Sequence, residues 1–200
     1  MLFNNEFVLA STSKSRKKIL KNCGLVFLCK KPLCNEEALK KNMLKNKTIP
    51  KKISLELSRL KALSVSKKNK TKFVIGSDTV ISFKKKIVNK ARNIKEAKQK
   101  IKRLSGKKHE IYSSVSVFYN MKEVWNTTEK TTIKIRNLSE KEINKYLFVA
   151  GKDVLDSVGC YQIESLGPNI IENIKGDFFN VMGFPLFSFL KFLKKFNIKK

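Results

Sequence analysis

Apolar and polar positions along the chain follow two periods, and together they predict an α/β fold. Phe7-Val8-Leu9-Ala10 and Leu25–Cys29 are short β-rich runs, and the hydroxyl-rich turn after the first run can cap a helix over about Lys14–Cys23. Pro50 suits the first turn of a second helix, whose apolar residues recur at helical spacing up to about residue 65. The polar segment Glu36–Asn46 fits either a loop or a short helix. The first third of the chain therefore alternates strand and helix.

The remainder of the chain continues this alternation. Phe73-Val74-Ile75-Gly76 predicts a buried strand that ends at Ser77-Asp78-Thr79. We expect a twisted sheet flanked by helices, built as a single domain over residues 1–200. The later predicted elements are a hairpin of Val80–Phe83 and Ile87-Val88, a helix over Ile94–Leu104, strands over Ile111–Tyr119 and Val124–Ile135, a helix from the capping box of Ser139 and Glu142 to near Gly151, a strand at about Asn169–Ile174, and a helix after Gly183-Phe184-Pro185.

The charge of the chain is strongly positive. Its 44 lysine and arginine residues outnumber 16 acidic residues, which gives a net charge of +28, yet only five of the basic residues are arginine. A polyanion-binding surface would explain the charge, but readout of bases and bidentate phosphate contacts favour arginine. Because the lysines are spread over the whole length, a solvated basic surface explains them better.

The cysteines and the apolar segments limit the class of protein. Four cysteines without a Cys-x-x-Cys pair, and a single histidine, give little support for a zinc site or a Ser-His-Asp triad. No secretory signal is evident, and no window reaches the roughly 18 apolar residues of a membrane span. We therefore expect a soluble protein of the reducing cytoplasm, without a membrane partner.

Asp78 is the first candidate for chemistry. An acidic residue next to a buried apolar strand needs a reason, and strand ends of α/β proteins commonly meet ligands and metals. Taken alone, Asp78 fits an ordinary turn aspartate better than a catalytic residue, and only the other segments of the chain reverse this preference. Glu36 is a second acidic candidate, because one or two carboxylates together with substrate phosphates can hold Mg²⁺, although it also fits a surface charge.

Basic and hydroxyl side chains suggest a phosphate site at the first strand–helix junction. Ser11, Ser13 and Arg16 lie at this junction, where free backbone N–H groups and the helix dipole also favour an anion. An ordinary serine cap among solvated lysines is the alternative. The stretch from Asp156 to Glu164 suggests a binding loop, because its glycines stand beside polar and aromatic residues. His109 is expected to pack or cap locally rather than to catalyse.

Taken in order, these segments resemble the Maf family of nucleoside triphosphate pyrophosphatases over nearly the full length. The opening Leu-Ala-Ser-x-Ser-Pro-x-Arg motif of the family is matched at Leu9–Arg16, except that Lys14 replaces the proline. The remaining matches are Asn35-Glu36 for the acidic pair, Leu57–Ala62 for Leu-Ala-x-x-Lys-Ala, Gly76–Thr79 for the Gly-Ser-Asp-Thr core, Asn89-Lys90-Ala91 for Gly-Lys-Pro, Leu104–His109, and Gly176-Asp177 to Gly183–Leu186.

The resemblance implies a Maf/ITPase-like fold, an elongated mixed α/β sheet in two lobes with the site in the central cleft. It also implies hydrolysis of a nucleoside triphosphate to the monophosphate and pyrophosphate, as a hydrolase acting on acid anhydrides. Asp78 would be the catalytic base or a metal ligand, and Glu36 would help to hold Mg²⁺ or Mn²⁺. The substrate-binding residues that it implies are Ser11, Ser13, Ser15, Arg16, Lys61, Thr79, Lys90 and Glu164.

The base that the site prefers is left open by the resemblance. Glu164 is similar to the branch of 7-methyl-GTP pyrophosphatases, whereas Thr79 is similar to the dTTP/UTP branch. A carboxylate can accept from guanine N1–H and its amino group, which favours a purine. Many relatives are dimers, so a homodimer is possible here. The alternative function is a basic nucleic-acid-binding protein or a catalytically inactive relative in cell-division control.

Overall fold

The structure of the protein, a computed structural model, describes residues 6–198. Strands and helices alternate along this part of the chain, as the residue pattern predicts. The elements are β1 (Phe7–Ala10), α1 (Lys14–Asn22), β2 (Phe27–Lys30), α2 (Glu36–Lys45), α3 (Pro50–Ser66), β3 (Phe73–Phe83), β4 (Lys86–Val88), α4 (Ile94–Leu104), β5 (Lys108–Tyr119), β6 (Lys122–Ile135), α5 (Glu140–Ala150), β7 (Ile171–Lys175), α6 (Phe178–Val181) and α7 (Leu186–Ile198), with 3₁₀ helices at Gly151–Asp156 and Gly167–Asn169.

One mixed sheet of seven strands forms the centre of the fold. Its strand order is β2-β1-β3-β5-β6-β7, and β4 pairs with the far end of β3. β1 runs parallel to β2 and to β3, whereas the remaining pairs are antiparallel. The predicted α/β class and the mixed sheet flanked by helices are therefore confirmed.

The prediction that a strand ends at Ser77-Asp78-Thr79 is wrong. β3 continues without a break from Phe73 to Phe83 and pairs with β5 from Val74 to Ser82. The long antiparallel partner keeps the chain extended through the polar residues, and no local pattern reveals that partner. Asp78 therefore lies in the middle of a strand.

Other differences from the predicted elements are local. The segment that fitted a loop or a short helix is helix α2, whose N-cap Asn35 accepts a hydrogen bond from the backbone N–H of Ala38. The last strand begins at Ile171, because the preceding residues form a 3₁₀ helix. Helix α6 and the 3₁₀ helix at Gly151–Asp156 were not predicted. The capping box of Ser139 and Glu142 is present at α5.

Strand β3 contributes to four hydrophobic clusters, and the two largest lie toward opposite ends of the strand. Phe73 and Ile75 pack with β1, α1 and α7, whereas Ile81 and Phe83 pack with α4, β5, β6 and α5. Asp78 lies on the strand between these two sets. One hydrophobic core therefore lies on each side of Asp78 along β3, which agrees with an arrangement in two lobes. None of the helices among residues 6–198 is long and apolar enough to span a membrane.

Candidate functional site

The sheet has a gap at the middle of β3. β1 pairs with β3 only as far as Gly76, and β4 begins to pair with it at Ile81. Within the described residues, the segment 77–80 therefore has a neighbouring strand, β5, on one side only. A cleft of about 1420 Å³ lies here, and both Asp78 and Thr79 line it. Because consecutive residues of a strand point to opposite faces, the gap exposes both faces of β3 to one cleft.

Helix α3 brings Lys61 onto Asp78. The helix lies so close to β3 that a Cβ atom on Gly76 would be 2.2 Å from the carbonyl oxygen of Ser58. The Ser58 hydroxyl also shares a 2.7 Å hydrogen bond with that of Ser116 on β5, which ties the helix to the sheet. As a result, Lys61 Nζ lies 2.6 Å from Asp78 Oδ1, and both residues are buried.

Glu36 reaches the same lysine from helix α2. Its Oε2 lies 2.9 Å from Lys61 Nζ, so the carboxylates of Glu36 and Asp78 converge on one ammonium group. The Glu36 side chain is 43 % exposed, whereas the Asp78 side chain is 11 % exposed. The cluster thus has a buried acid on the sheet and an accessible acid on the cleft wall.

The first strand–helix junction forms the neighbouring wall. Ser13 caps α1 by accepting from the backbone N–H of Arg16, and Ser11 Oγ accepts from the N–H of Ser13. Arg16 is 9 % exposed and donates through Nε to the carbonyl of Gly183 at 2.9 Å and through Nη2 to Thr79 Oγ1 at 3.0 Å. Burial lowers the pKa of Arg16, while the charges of Asp78 and Glu36 oppose that shift.

Ser15 and Glu164 close the cleft on the side of the later loop. Ser15 Oγ donates to Glu164 Oε1 at 2.7 Å, across 149 residues of sequence. The contact leaves Glu164 Oε2 outside the hydrogen bond with Ser15 and fixes the carboxylate on the cleft wall. A ligand with two adjacent N–H donors would suit such a carboxylate.

All of the predicted site residues line this one cleft. Lys90 is the exposed member of the set and lies on the loop between β4 and α4. Their proximity is observed, and their individual roles stay predictions. The residues are Ser11, Ser13, Ser15, Arg16, Glu36, Lys61, Asp78, Thr79, Lys90 and Glu164.

His109 lies outside the cleft, as expected for a packing residue. It is 2 % exposed, and its Nε2 is 2.5 Å from the hydroxyl of Tyr161. Burial lowers the pKa of His109 to about 4. Since Tyr161 also lines the cleft, His109 supports the wall from behind.

Lys40 is a cleft residue that the sequence analysis missed. It lies on α2 one turn after Glu36, on the same face of the helix, and its Nζ is 2.8 Å from Asn89 Oδ1. The four-residue spacing from Glu36 is the signal that could have found it. In a chain with so many lysines that spacing alone is not distinctive.

The acidic residues fit a divalent cation only in part. No group of three or more metal-ligating side chains exists among the described residues. Glu36 and Asp78 nevertheless supply hard oxygen donors that already converge on a cationic group, the Lys61 ammonium. A magnesium or manganese ion commonly takes one or two carboxylates and completes its shell with substrate phosphates and water. The donor set therefore fits an ion that arrives with a phosphate ligand.

Comparison with known proteins gives full-length relatives. The Maf-like protein family matches residues 6–196. The chain is 40 % identical over 191 residues to a 7-methyl-GTP pyrophosphatase of Bartonella quintana, with 96 % of each chain covered. It is 34 % identical over 186 residues to a nucleoside triphosphate pyrophosphatase of Caulobacter vibrioides, with 93 % of each covered. A nucleoside triphosphate pyrophosphatase of Pelagibacter ubique is 35 % identical over 189 residues, covering 94 % of this chain and 97 % of that one.

Among solved structures, a HAM1 protein from Coxiella burnetii matches with a TM-score of 0.43 and 14 % sequence identity. The match covers 68 % of this chain and 75 % of the other.

Proposed function

Since the chain belongs to the Maf family and its relatives are nucleoside triphosphate pyrophosphatases, we propose that it cleaves a nucleoside triphosphate between the α- and β-phosphates, with Asp78 as the central residue. A hydrolase of this kind acts on an acid anhydride. The observation that carries the proposal is the convergence of Asp78 and Glu36 on Lys61, in a cleft that is also lined by the capped start of α1.

The reaction adds water to the α-phosphorus. The water oxygen forms a bond to phosphorus, the bond to the α–β bridging oxygen breaks, and pyrophosphate leaves with that oxygen. In this proposal Asp78 accepts the proton of the attacking water, and the contact of Lys61 with its Oδ1 supports that role. Ser11, Ser13 and Arg16 stabilise the negative charge of the phosphates from the neighbouring wall.

Metal dependence is part of the proposal. Glu36 and Asp78 are the residues that would hold Mg²⁺ or Mn²⁺, and the ion would neutralise phosphate charge when bound. Lys61 must then share the two carboxylates with the ion. The prediction is that the ion binds tightly only together with a phosphate ligand, because the described protein side chains alone do not complete its shell.

We propose a guanine nucleotide, with 7-methyl-GTP included, as the preferred substrate class. Glu164 offers a carboxylate oxygen to guanine N1–H and its amino group, and Ser15 orients that carboxylate. The Bartonella relatives carry the name 7-methyl-GTP pyrophosphatase. Thr79 is the residue that resembles the dTTP/UTP branch, but its hydroxyl is bonded to Arg16 and to Ser113.

The basic surface gives less support to the alternative of a nucleic-acid-binding protein. α3 and α7 cover opposite faces of the sheet, since they pack against alternate residues of β3. Both helices carry exposed lysines, Lys51 and Lys52 on α3 and Lys191 and Lys194 on α7. The positive charge is therefore not confined to one face.

The test is pyrophosphate release from a panel of canonical and methylated nucleoside triphosphates, with Mg²⁺ or Mn²⁺. We expect turnover of one or a few members, and Asp78→Asn should lower kcat by about 100-fold to 10,000-fold. Glu172→Gln is the matched control, because it makes the same chemical change on the exposed strand β7. A folded wild-type protein that releases no pyrophosphate across the panel with either metal would overturn the proposal.

A further inference from the structure

Lys40 lines the cleft but lies outside the sequence motifs that the chain shares with the Maf family. Its side chain extends from α2 into the cleft, and one of the three donors of its ammonium group goes to the amide oxygen of Asn89 at 2.8 Å. Asn89 is neutral, so this contact orients the ammonium without neutralising it. The cleft therefore contains a lysine whose charge is not cancelled by its hydrogen-bond partner.

The charges around Lys40 are those of the proposed reaction centre. Asp78, Glu36 and Glu37 attract its ammonium group, and Lys61 repels it. Lys40 is half-buried, and this partial burial lowers its pKa. A partly desolvated cation beside a carboxylate cluster is well placed to meet a polyanion there, because its electrostatic interactions are less screened than at the open surface.

The backbone of Asn89 is connected to the other wall of the cleft through Lys100. Its backbone carbonyl accepts from Lys100 Nζ at 2.5 Å, and the same ammonium donates to the carbonyl of Val158 at 3.0 Å. Lys40 is thus hydrogen-bonded to a residue whose backbone is tied to the other wall. Asn89 precedes Lys90, which is another of the lysines that line the cleft.

Apolar contacts attach α2 to α3 along the side of the helix that adjoins Lys40. Met43 is buried against Ile53 and Leu57 of α3, and Leu39 packs at the edge of the same cluster. These contacts hold the helix against α3 in addition to the hydrogen bond between Lys40 and Asn89. The Lys40 ammonium therefore extends into the cleft from a helix that apolar contacts also position.

We propose that Lys40 is a phosphate-binding residue of this cleft, oriented by Asn89 to contact the β- and γ-phosphates and the pyrophosphate that leaves. The inference rests on the proposed function for the identity of the ligand. It adds a residue from α2 to the phosphate-binding residues of α1 and α3. It also assigns Asn89 as a positioning residue that acts through Lys40.

The test uses inorganic pyrophosphate with Mg²⁺ as the probe, titrated into the folded full-length protein by calorimetry. Lys40→Met removes the charge but keeps most of the stem, and we expect it to weaken pyrophosphate binding by about tenfold, the loss of one charge-assisted hydrogen bond. Nucleoside monophosphate binding should change much less. Lys45→Met is the matched control, since Lys45 is exposed on the same helix and lies off the cleft wall.

Two further variants separate phosphate binding from a structural role. Lys40→Arg keeps the charge and should retain most of the affinity, whereas Asn89→Ala should give a smaller loss than Lys40→Met. In turnover assays, Lys40→Met should raise KM more than it lowers kcat. Equal pyrophosphate affinity of Lys40→Met and Lys45→Met, or an equal loss for the monophosphate, would overturn the inference.

Failure of the proposed function gives a different result. A wild-type protein that turns over no nucleotide but loses pyrophosphate binding on Lys40→Met would refute the reaction and support the phosphate site. A wild-type protein that cleaves nucleotides with a KM unaffected by Lys40→Met would support the reaction and refute the role of Lys40. A wild-type protein that does not bind pyrophosphate would also refute that role.

Discussion

Lys61 and Asp78 form a buried ion pair of 2.6 Å that joins helix α3 to the middle of strand β3. Glu36 adds a second carboxylate to the same ammonium at 2.9 Å. The lysine therefore separates two like charges, one of which has little access to water. Removal of the lysine and removal of one acid are not equivalent, because only the first leaves two carboxylates facing each other.

We predict that Lys61→Met destabilises the fold by about 3 kcal/mol, the usual cost of leaving a buried charge without its partner. Asp78→Asn should cost less, because Lys61 keeps Glu36 as a partner. The free energy of unfolding from urea titrations at neutral pH measures both. Millimolar Mg²⁺ should recover part of the loss in Lys61→Met, since the ion can replace the ammonium between the two carboxylates.

Lys134→Met is the control for this comparison. It breaks an ion pair with Glu172 in which both side chains are more than one-third exposed, so its cost should be below about 1 kcal/mol. If Lys61→Met were no more costly than this control, the buried pair would not have the role assigned to it.

Gly76 is the residue that permits this arrangement. A methyl group there would lie 2.2 Å from the backbone oxygen of Ser58 and 2.7 Å from the backbone nitrogen of Ala62, and neither atom can rotate away. We predict that Gly76→Ala destabilises the protein by about 3 kcal/mol and lowers activity, because α3 must shift and carry Lys61 off Asp78. Urea denaturation and turnover measure the two effects.

Gly151→Ala separates this steric effect from backbone strain. Gly151 has a φ of 55°, but a Cβ there would meet nothing within 4 Å. Its cost should be about 1–3 kcal/mol from backbone strain alone, with turnover unchanged. An equal loss of activity in the two variants would contradict the explanation for Gly76.

The sequence predicted the elements well where the local pattern decides the structure. The helix Ile94–Leu104 has the bounds that its amphipathic spacing and the stop at Ser105 indicate. The capping box of α5 likewise depends only on residues three apart. By contrast, the continuation of β3 past Asp78 depends on pairing with β5, more than thirty residues away, and local sequence carries no sign of it.

The sequence identified those site residues that belong to recognisable motifs, but not the contacts between them. Glu164 and Ser15 were singled out separately, but their hydrogen bond across the cleft is a property of the folded chain. Lys40 was missed because one lysine among many is not distinctive without its neighbours in space. Its contact with Asn89 spans 49 residues and joins two walls of the cleft.

Base recognition gives a further prediction. Glu164→Gln should lower kcat/KM for guanine nucleotides by about 10-fold to 100-fold, because an amide replaces the charged acceptor of the guanine N–H groups. Ser15→Ala should give a smaller loss, since it removes only the donor that orients the carboxylate. Pyrophosphate release from guanine and pyrimidine triphosphates measures the change in preference. Equal losses for both bases would contradict a role of Glu164 in selecting guanine.

His109 should make stability fall in weakly acidic solution. It is the single histidine of the chain, and its Nδ1 is buried without a hydrogen bond among the described residues, so a proton there would create a buried charge. Burial accordingly lowers its pKa from 6.5 to about 4. Above pH 6.5 the ring is neutral in both states, and between pH 6.5 and 4 only the unfolded chain takes up the proton. Stability is therefore lost as pH falls through this window.

Between pH 7.5 and pH 5 the expected contribution of His109 is a loss of about 2 kcal/mol in the free energy of unfolding. His109→Gln removes this titration, so its stability should fall by about 2 kcal/mol less than that of the wild type over the same interval. Urea titrations of both proteins at the two pH values give the difference directly, because other titrating groups are common to both. Parallel pH profiles would show that the imidazole is already protonated, or solvated, in the folded protein.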